Sequence, residues 1–261
     1  DTVKPTQDLE GYAKAGFGSY GTMNFEGAIS GGLTDELSAR LSLLSQERDD
    51  YIDNAFTGEN DAIGGYDEKA YRLQLLWEPS ADFSALLNVH GRELEGTASI
   101  FRANVFDKGS NELNANYDRE TVYYDGDLQG DGIDNNPQEY DGFGASLKLE
   151  YDMDEVTFTS ISALETADGS SLGDVDGGFN LADGTSGPGF IPFSAVTQDN
   201  LDDLEQYTQE FRLSSNSRDA LNWQVGAFYY DASFNVTSID GYFGATTVFH
   251  DNQTWAVFGQ T

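Results

Sequence analysis

The chain has 261 residues, no cysteine, and a formal charge of −33 from 46 acidic against 13 basic residues. Zero cysteine excludes a disulfide scaffold and thiolate metal sites, and the acidic balance excludes nucleic acid as a partner, because phosphate binding needs a basic footprint. Aromatics reach 13% of the chain, a content that disordered chains lack.

No run of eighteen apolar residues occurs, so the sequence holds no transmembrane helix. Asp1 opens a polar stretch without the apolar segment of a signal peptide, and the chain reads as mature or cut from something longer. Apolar residues instead alternate with polar ones at period two, the strand signal. The alternation predicts ten strands, at roughly 9–18, 20–32, 36–47, 68–78, 81–93, 139–152, 155–166, 205–216, 219–234 and 251–261. In the third, Leu37, Ala39, Leu41 and Leu43 oppose Ser38, Arg40 and Ser42, with Leu44 an exception. In the fourth, Tyr71, Leu73, Leu75 and Trp77 oppose Arg72 and Gln74. The pattern recurs at Phe143, Ala145, Leu147, Leu149 and Tyr151, and again at Leu221, Trp223, Val225, Ala227 and Tyr229. Register is blurred in 155–166 and 251–261. Most of these strands exceed the ~5–6 residues usual in soluble sheets and suit the ~9–11 residues that cross a bilayer.

Connections alternate in length. Leu33–Glu36, Pro79–Ser80, Met153–Asp154 and Ser217–Arg218 read as tight turns. Long polar excursions are expected at about 48–67, 94–138, 167–204 and 235–250. Short turns at one end and long loops at the other describe an outer-membrane barrel. Trp77, Phe83, Tyr151 and Trp223 stand beside the tight turns on the apolar face, as an interfacial aromatic girdle would; the competing reading is a set of core aromatics capping a sandwich.

On these segments the chain resembles the TonB-dependent receptors. Lys4-Pro5-Thr6 with Leu9-Glu10-Gly11-Tyr12 is similar to that family's junction between plug and barrel. Phe17-Gly18-Ser19-Tyr20-Gly21 resembles its first hairpin, Gly32-Leu33-Thr34-Asp35-Glu36-Leu37-Ser38-Ala39-Arg40 its next turn and strand, and Arg48-Asp49-Asp50-Tyr51-Ile52-Asp53-Asn54 the loop that follows. Gln209-Glu210-Phe211-Arg212-Leu213, Trp223-Gln224-Val225-Gly226-Ala227-Phe228-Tyr229 and Ala256-Val257-Phe258-Gly259-Gln260 match its mid-barrel strands. The resemblance implies an all-β fold, an antiparallel transmembrane β-barrel wall with short periplasmic turns and long extracellular loops. Residues 1–261 are then about ten strands of a barrel of about 22, with plug and C-terminal strands absent. A complete ten-stranded barrel is the structural alternative.

The resemblance also implies a location in the outer membrane of a Gram-negative bacterium, and active uptake of a scarce nutrient such as a ferric siderophore. The implied partners are outer-membrane lipid, the TonB complex acting through the missing plug, and a small molecule such as a metal chelate or an oligosaccharide. Two other classes stand beside this one: a passive outer-membrane porin and a secreted calcium-dependent glycan-binding β-sandwich.

Catalysis finds little support. His90 and His250 are the only imidazoles, and no nucleophile elbow, P-loop or zinc-protease motif is present. No enzyme activity is expected. The polar strand face carries Lys14, Arg40, Arg72, Arg92, Lys148 and Arg212, candidate lumen residues that either meet a passing anion or pair with Glu26, Glu150, Glu210 and a plug. The loop Asp125–Asn136 alternates Asp with Gly, which lets a short backbone aim several carboxylates at one cation. Asp125, Asp127, Asp131 and Asp134 are the expected calcium ligands, although Asn136 stands where an EF-hand places its final Glu. No other cofactor is expected.

Overall fold

A computed structural model describes residues 2–103, 105–107, 109–115, 117–128, 135–178, 193–216 and 221–261. Its strands are β1 (Glu10–Phe17), β2 (Met23–Gly32), β3 (Leu37–Arg48), β4 (Ile52–Asn54), β5 (Glu59–Ile63), β6 (Tyr66–Ser80), β7 (Phe83–Thr97), β8 (Thr121–Val122), β9 (Pro137–Asp152), β10 (Val156–Asp174), β11 (Val196–Ser215), β12 (Gln224–Asp240) and β13 (Gly244–Gln260). Ten of them form one sheet in the order β1-β2-β3-β6-β7-β9-β10-β11-β12-β13. Every pair in it is antiparallel. A sandwich would divide its strands between two packed layers; here each long strand pairs with its neighbours in the chain, and the sandwich reading falls.

Lateral pairing assigns the two faces. Leu41, Leu73, Val89, Ala145 and Leu164 share one row. Arg40, Gln74, Asn88, Ser146 and Ala163 share the next, one residue away and on the opposite face. The apolar row splays outward: Ile29, Leu41, Tyr71, Phe143, Phe211 and Val225 are between 39% and 56% exposed. On the polar face Ala28, Ser30, Ser38, Gln74 and Ala232 are all buried. Side chains converge on the concave side of a curved sheet and diverge on the convex side, so the polar face is the inner one. This is the wall of a barrel, apolar outside and polar within.

The apolar band has a measurable height. On β9 the outward residues Phe143, Ala145, Leu147, Leu149 and Tyr151 cover eight residue steps, about 21 Å once the strand is tilted by ~40°. At the turn end Trp77 meets Phe83 edge-on at 5.8 Å, and Phe83 meets Tyr151 at 6.4 Å, giving a row of rings beside the tight turns. Past Phe143 the outward positions become charged: Asp67 and Lys69, paired at 2.7 Å on β6, and Asp141 on β9. At Gly91 an added Cβ would stand 2.7 Å from the Tyr71 ring; the glycine lets that ring lie flat across the strand at the band's outer edge.

The expected strands are all present, and the expected loops need correction. The segment 235–250 is not a loop: β12 runs to Asp240, β13 starts at Gly244, and a short turn joins them. Likewise β10 and β11 extend into 167–204, to Asp174 and from Val196. Beyond the band both faces are wet, so apolar alternation fades while the ladder continues. The β1–β2 connection is a tight turn in which Tyr20 and Gly21 have φ of 58° and 63°, the doubly left-handed geometry that suits a twisted hairpin. The expected turn at Ser217–Arg218 lies outside the described residues.

The excursions that follow β3 and β7 are not featureless either. They contribute β4, β5 and β8 to a second, three-stranded sheet. Its core is Ile52, Ile63, Val122 and Tyr124, each no more than 1% exposed. Asn54 is fully buried and ties the two excursions together. Its Nδ2 donates to the Tyr124 carbonyl at 2.9 Å and to Asn135 Oδ1 at 3.0 Å, and its Oδ1 accepts from the amides of Tyr124 and Phe56.

Candidate functional site

The inner face carries the basic residues singled out in the sequence. Most are paired along the wall. Lys14 meets Glu26 at 3.4 Å, Lys148 meets Glu150 at 2.8 Å and Arg212 meets Glu210 at 2.9 Å. Arg92 Nε lies 2.7 Å from Glu68. Two bases differ. Neither Arg40 nor Arg72 pairs with a carboxylate among the described residues, and Arg72 Nε is buried without a hydrogen-bond partner. Both line a concave recess of about 480 Å³ with Tyr12, Glu26, Gln74 and His90.

His90 is part of the same wall. Asn88 Nδ2 lies 3.2 Å from His90 Nδ1, and His90 Nε2 lies 3.2 Å from Glu165 Oε2. An amide donating to Nδ1 leaves the ring proton on Nε2, where it is donated to the carboxylate. Gly144 between them makes the contact fit: an added Cβ would meet Glu165 Oε2 at 2.1 Å and His90 Cε1 at 2.5 Å. His250 stacks on Phe234 at 4.5 Å. Neither set of contacts presents a hydroxyl nucleophile to an imidazole.

At the loop end lies a cleft of about 1020 Å³. Its lining includes Glu47, Asp49, Asp50, Asp61, Asp67 and Glu95. Arg48 is the one base in that lining, and its charge is committed. Its guanidinium sits 5.1 Å from the Tyr51 ring centroid and 4.9 Å from that of Tyr66, and Nε donates to the Gly64 carbonyl at 3.0 Å. Tyr51 stacks on Tyr20 at 4.1 Å, and the Tyr20 hydroxyl donates to Glu120 at 3.0 Å. That hydrogen bond, followed by the charge of Glu120, raises the Tyr20 pKa and keeps the phenol neutral. Sequence reading placed acids in these loops but could not see that strand ends from β3, β6 and β7 collect them around one opening.

A second acidic group lies where the β7–β9 excursion meets the outer ends of β10 and β11. Asp125, Asp174 and Asp176 each aim one carboxylate oxygen so that all three lie within 4.8 Å of one another. Only Asp125 belongs to the four-Asp loop expected from sequence. Asp127 is not a member of this cluster, and Asp131 and Asp134 lie outside the described residues. Asp174 and Asp176 are close to fully buried. Asp174 Oδ2 accepts from the amides of Asp125 at 2.8 Å and Gly126 at 3.1 Å, and its own amide donates to Asn136 Oδ1 at 2.8 Å. The two Asp176 oxygens accept from the amides of Gly178 and Ala195. Ser194 Oγ donates to Asp125 Oδ1 at 3.2 Å. Burial first, then the charge of Asp176, pushes the Asp174 carboxyl up to about 7, and the same two causes raise Asp125. No signal in the local sequence joins 125 to 174 and 176; the pairing of β10 with β9 and β11 brings them together.

No family model matches the chain. Solved structures do. The ferric yersiniabactin uptake receptor FyuA from Yersinia pestis aligns over 99% of this chain and 44% of its own, with a TM-score of 0.65 and 15% identity. The siderophore receptor PiuA from Acinetobacter baumannii aligns over 98% of this chain and 38% of its own, at TM-score 0.64 and 13% identity. The ferric-catecholate import receptor Fiu from Escherichia coli K12, in its closed form, covers 98% and 47% at TM-score 0.51 and 9% identity. The chain thus spans less than half the length of the structures it matches, and what it shares with them is the fold, an antiparallel barrel wall.

Proposed function

We propose that this chain is part of the wall of a TonB-dependent outer-membrane receptor that takes up a scarce chelate, of the ferric-siderophore class, with energy supplied through TonB. One observation carries the reading. A single ten-stranded sheet has an outward apolar band about 21 Å high and an inner face of paired bases and acids, and it follows siderophore receptors over 98–99% of its length. The band matches the ~25 Å apolar belt of outer-membrane barrels, so lipid is the partner of the convex face. Arg40 and Arg72, without a carboxylate partner among the described residues, are placed on the concave face to meet an acidic group in the lumen. The cleft at the loop end favours a neutral or cationic chelate over a polyanionic one, because its carboxylates, apart from the Lys69-paired Asp67, focus a negative potential there while Arg48 is held between tyrosine rings. The role is transport, with no catalytic step.

The test is uptake of radiolabelled iron by cells that carry the intact gene or its deletion. The deletion should abolish high-affinity uptake of one class of ferric chelate, and dissipating the proton gradient should do the same to intact cells. Uptake that persists without the gradient and rises linearly with concentration would mean a passive porin.

A further inference from the structure

We propose that Arg40, Arg72 and Gln74 form a carboxylate-binding site on the concave wall. The site rests on the reading of the chain as a barrel wall, while its test reads binding and stability and never uptake, so either can fail alone.

Six bases stand on the inner face, and four of them meet an acid of the same wall. Arg40 and Arg72 meet none among the described residues. Acids are plentiful in a chain of formal charge −33, so two bases left without one are a departure from the rest of the wall. Arg40 is only 9% exposed, and Arg72 Nε is buried without a hydrogen-bond partner. A guanidinium does not shed its proton in a protein. Burial therefore costs it hydration that an anion must replace. Among the described residues Glu26 is the one acid that lines the recess around them, and it already accepts from Tyr12 and Lys14.

Register brings the donors together. Gln74 pairs directly with Arg40, and Arg72 is the next inward residue on β6, diagonal to Arg40. Diagonal neighbours stand about 7–8 Å apart, within reach of long side chains. Gln74 is buried as well. Two guanidinium forks and a primary amide are planar donors, and a carboxylate offers about four lone-pair positions in one plane to receive them. The recess of about 480 Å³ has room for that group and its stem. Two sources can supply it. One is an acidic side chain of the protein itself: Thr2 and Val3 already line the recess, and the Thr6 amide ties that stretch to Ser30 Oγ at 2.9 Å. The other is a free carboxylate solute in the lumen.

The measurement is urea unfolding of the full-length protein in lipid vesicles, at constant ionic strength, with sodium glutarate replacing sodium chloride. If the site takes a free carboxylate, glutarate raises the midpoint saturably, because a ligand held only by the folded chain stabilises it. Arg40→Gln and Arg72→Gln should then each weaken glutarate at least about tenfold, the worth of a hydrogen bond to a charged group, and Arg212→Gln should leave the response intact. If an acidic side chain fills the site, glutarate has no effect and both substitutions lower the midpoint at neutral pH. That loss should vanish below about pH 4, where carboxylates are protonated. Either pattern supports the site and identifies its source. Should Arg40→Gln fail to fold, Arg72→Lys keeps the charge, removes the planar fork and should show the same losses. The proposal is overturned if glutarate has no effect and the substitutions leave the midpoint unchanged or raise it, as removal of an uncompensated charge would. A loss that persists below about pH 4 would mean lost packing alone and also overturns it. So does sodium phosphate raising the midpoint as well as glutarate does, which would mean a general anion site.

Discussion

Replacing Leu147 by arginine tests the assignment of the two faces. Leu147 lies on the convex side of β9, laterally paired with Leu87 on β7 and with Ser162 on β10. It stands four residues from Phe143 and four from Tyr151, about 10 Å from either edge of the apolar band at the usual rise and tilt. That is as far from water as this face allows. Arginine at the midplane of an outer-membrane barrel costs about 2–4 kcal/mol, falling to about 0–1 kcal/mol near the interfaces. Leu147→Arg should therefore lower the folding equilibrium constant by roughly 30- to 1000-fold. Asp141→Arg, on the same face of the same strand but beyond the band, should cost no more than about 1 kcal/mol. The neighbouring residue supplies an internal comparison: Lys148 already carries a cation, tolerated because it faces inward and meets Glu150. The assay is guanidinium titration of the full-length protein into lipid vesicles, followed by tryptophan fluorescence. If Leu147→Arg and Asp141→Arg shift the midpoint equally, the convex face does not contact lipid and the barrel reasoning fails.

Other outcomes follow from the same geometry. Gly144→Val should push His90 from Glu165 and destabilise the wall by about 1–3 kcal/mol through overpacking, seen as a lower midpoint in the same titration. Arg212→Gln should change stability by no more than about 1 kcal/mol, because the pair with Glu210 is about a third exposed and screened; a larger loss would mean a tighter network than the wall shows. Asn54→Ala should leave the amides of Tyr124 and Phe56 and the Tyr124 carbonyl without their partner. At about 1–3 kcal/mol for a stranded buried group, the small sheet should open and become protease-sensitive while the barrel stays intact. Docking of the 98–128 segment should weaken as pH rises from about 4 to about 7. Asp174 is raised to about 7 in the folded chain but titrates near 3.9 when exposed, so the folded state bears the cost of ionisation only above the lower value. Protease protection of that segment should accordingly be greater at pH 5 than at pH 8; equal protection would refute the burial of Asp174.

The barrel was legible in the sequence because lipid imposes a strict rule on alternate residues. Leu37 to Leu43 and Phe143 to Tyr151 display the period directly, and β3 and β9 fall where alternation put them. The register of β10 was not legible: its outward positions are Ser160, Ser162, Leu164 and Thr166, and only pairing with Leu149 and Phe211 fixes the face of Ser160. The outward face of β11–β13 likewise carries Gln209, Asp231 and Gln253; Asp231 accepts from Tyr229 at 2.6 Å and Gln253 at 3.0 Å. Strand ends beyond the band escaped detection for the reason that made the rest visible, since water on both faces removes the pattern. The wall's ion pairs were foreseeable from composition and parity, and Lys14, Lys148 and Arg212 found the acids named for them. The loop cluster was not, because Asp174 and Asp176 join Asp125 only through tertiary pairing.

The consecutive order of the ten strands also bears on how the chain reaches its fold. Each strand finds its partner next in line, so pairing can spread like a zipper, with every closure bridging only the connection between adjacent strands. Three residues separate β9 from β10, whereas the connection at 98–136 separates β7 from β9. Closing the longer loop costs about 2 kcal/mol more in chain entropy. The sheet therefore grows outward from short-turn hairpins, and the junction between β7 and β9 is the seam where two growing halves must meet last.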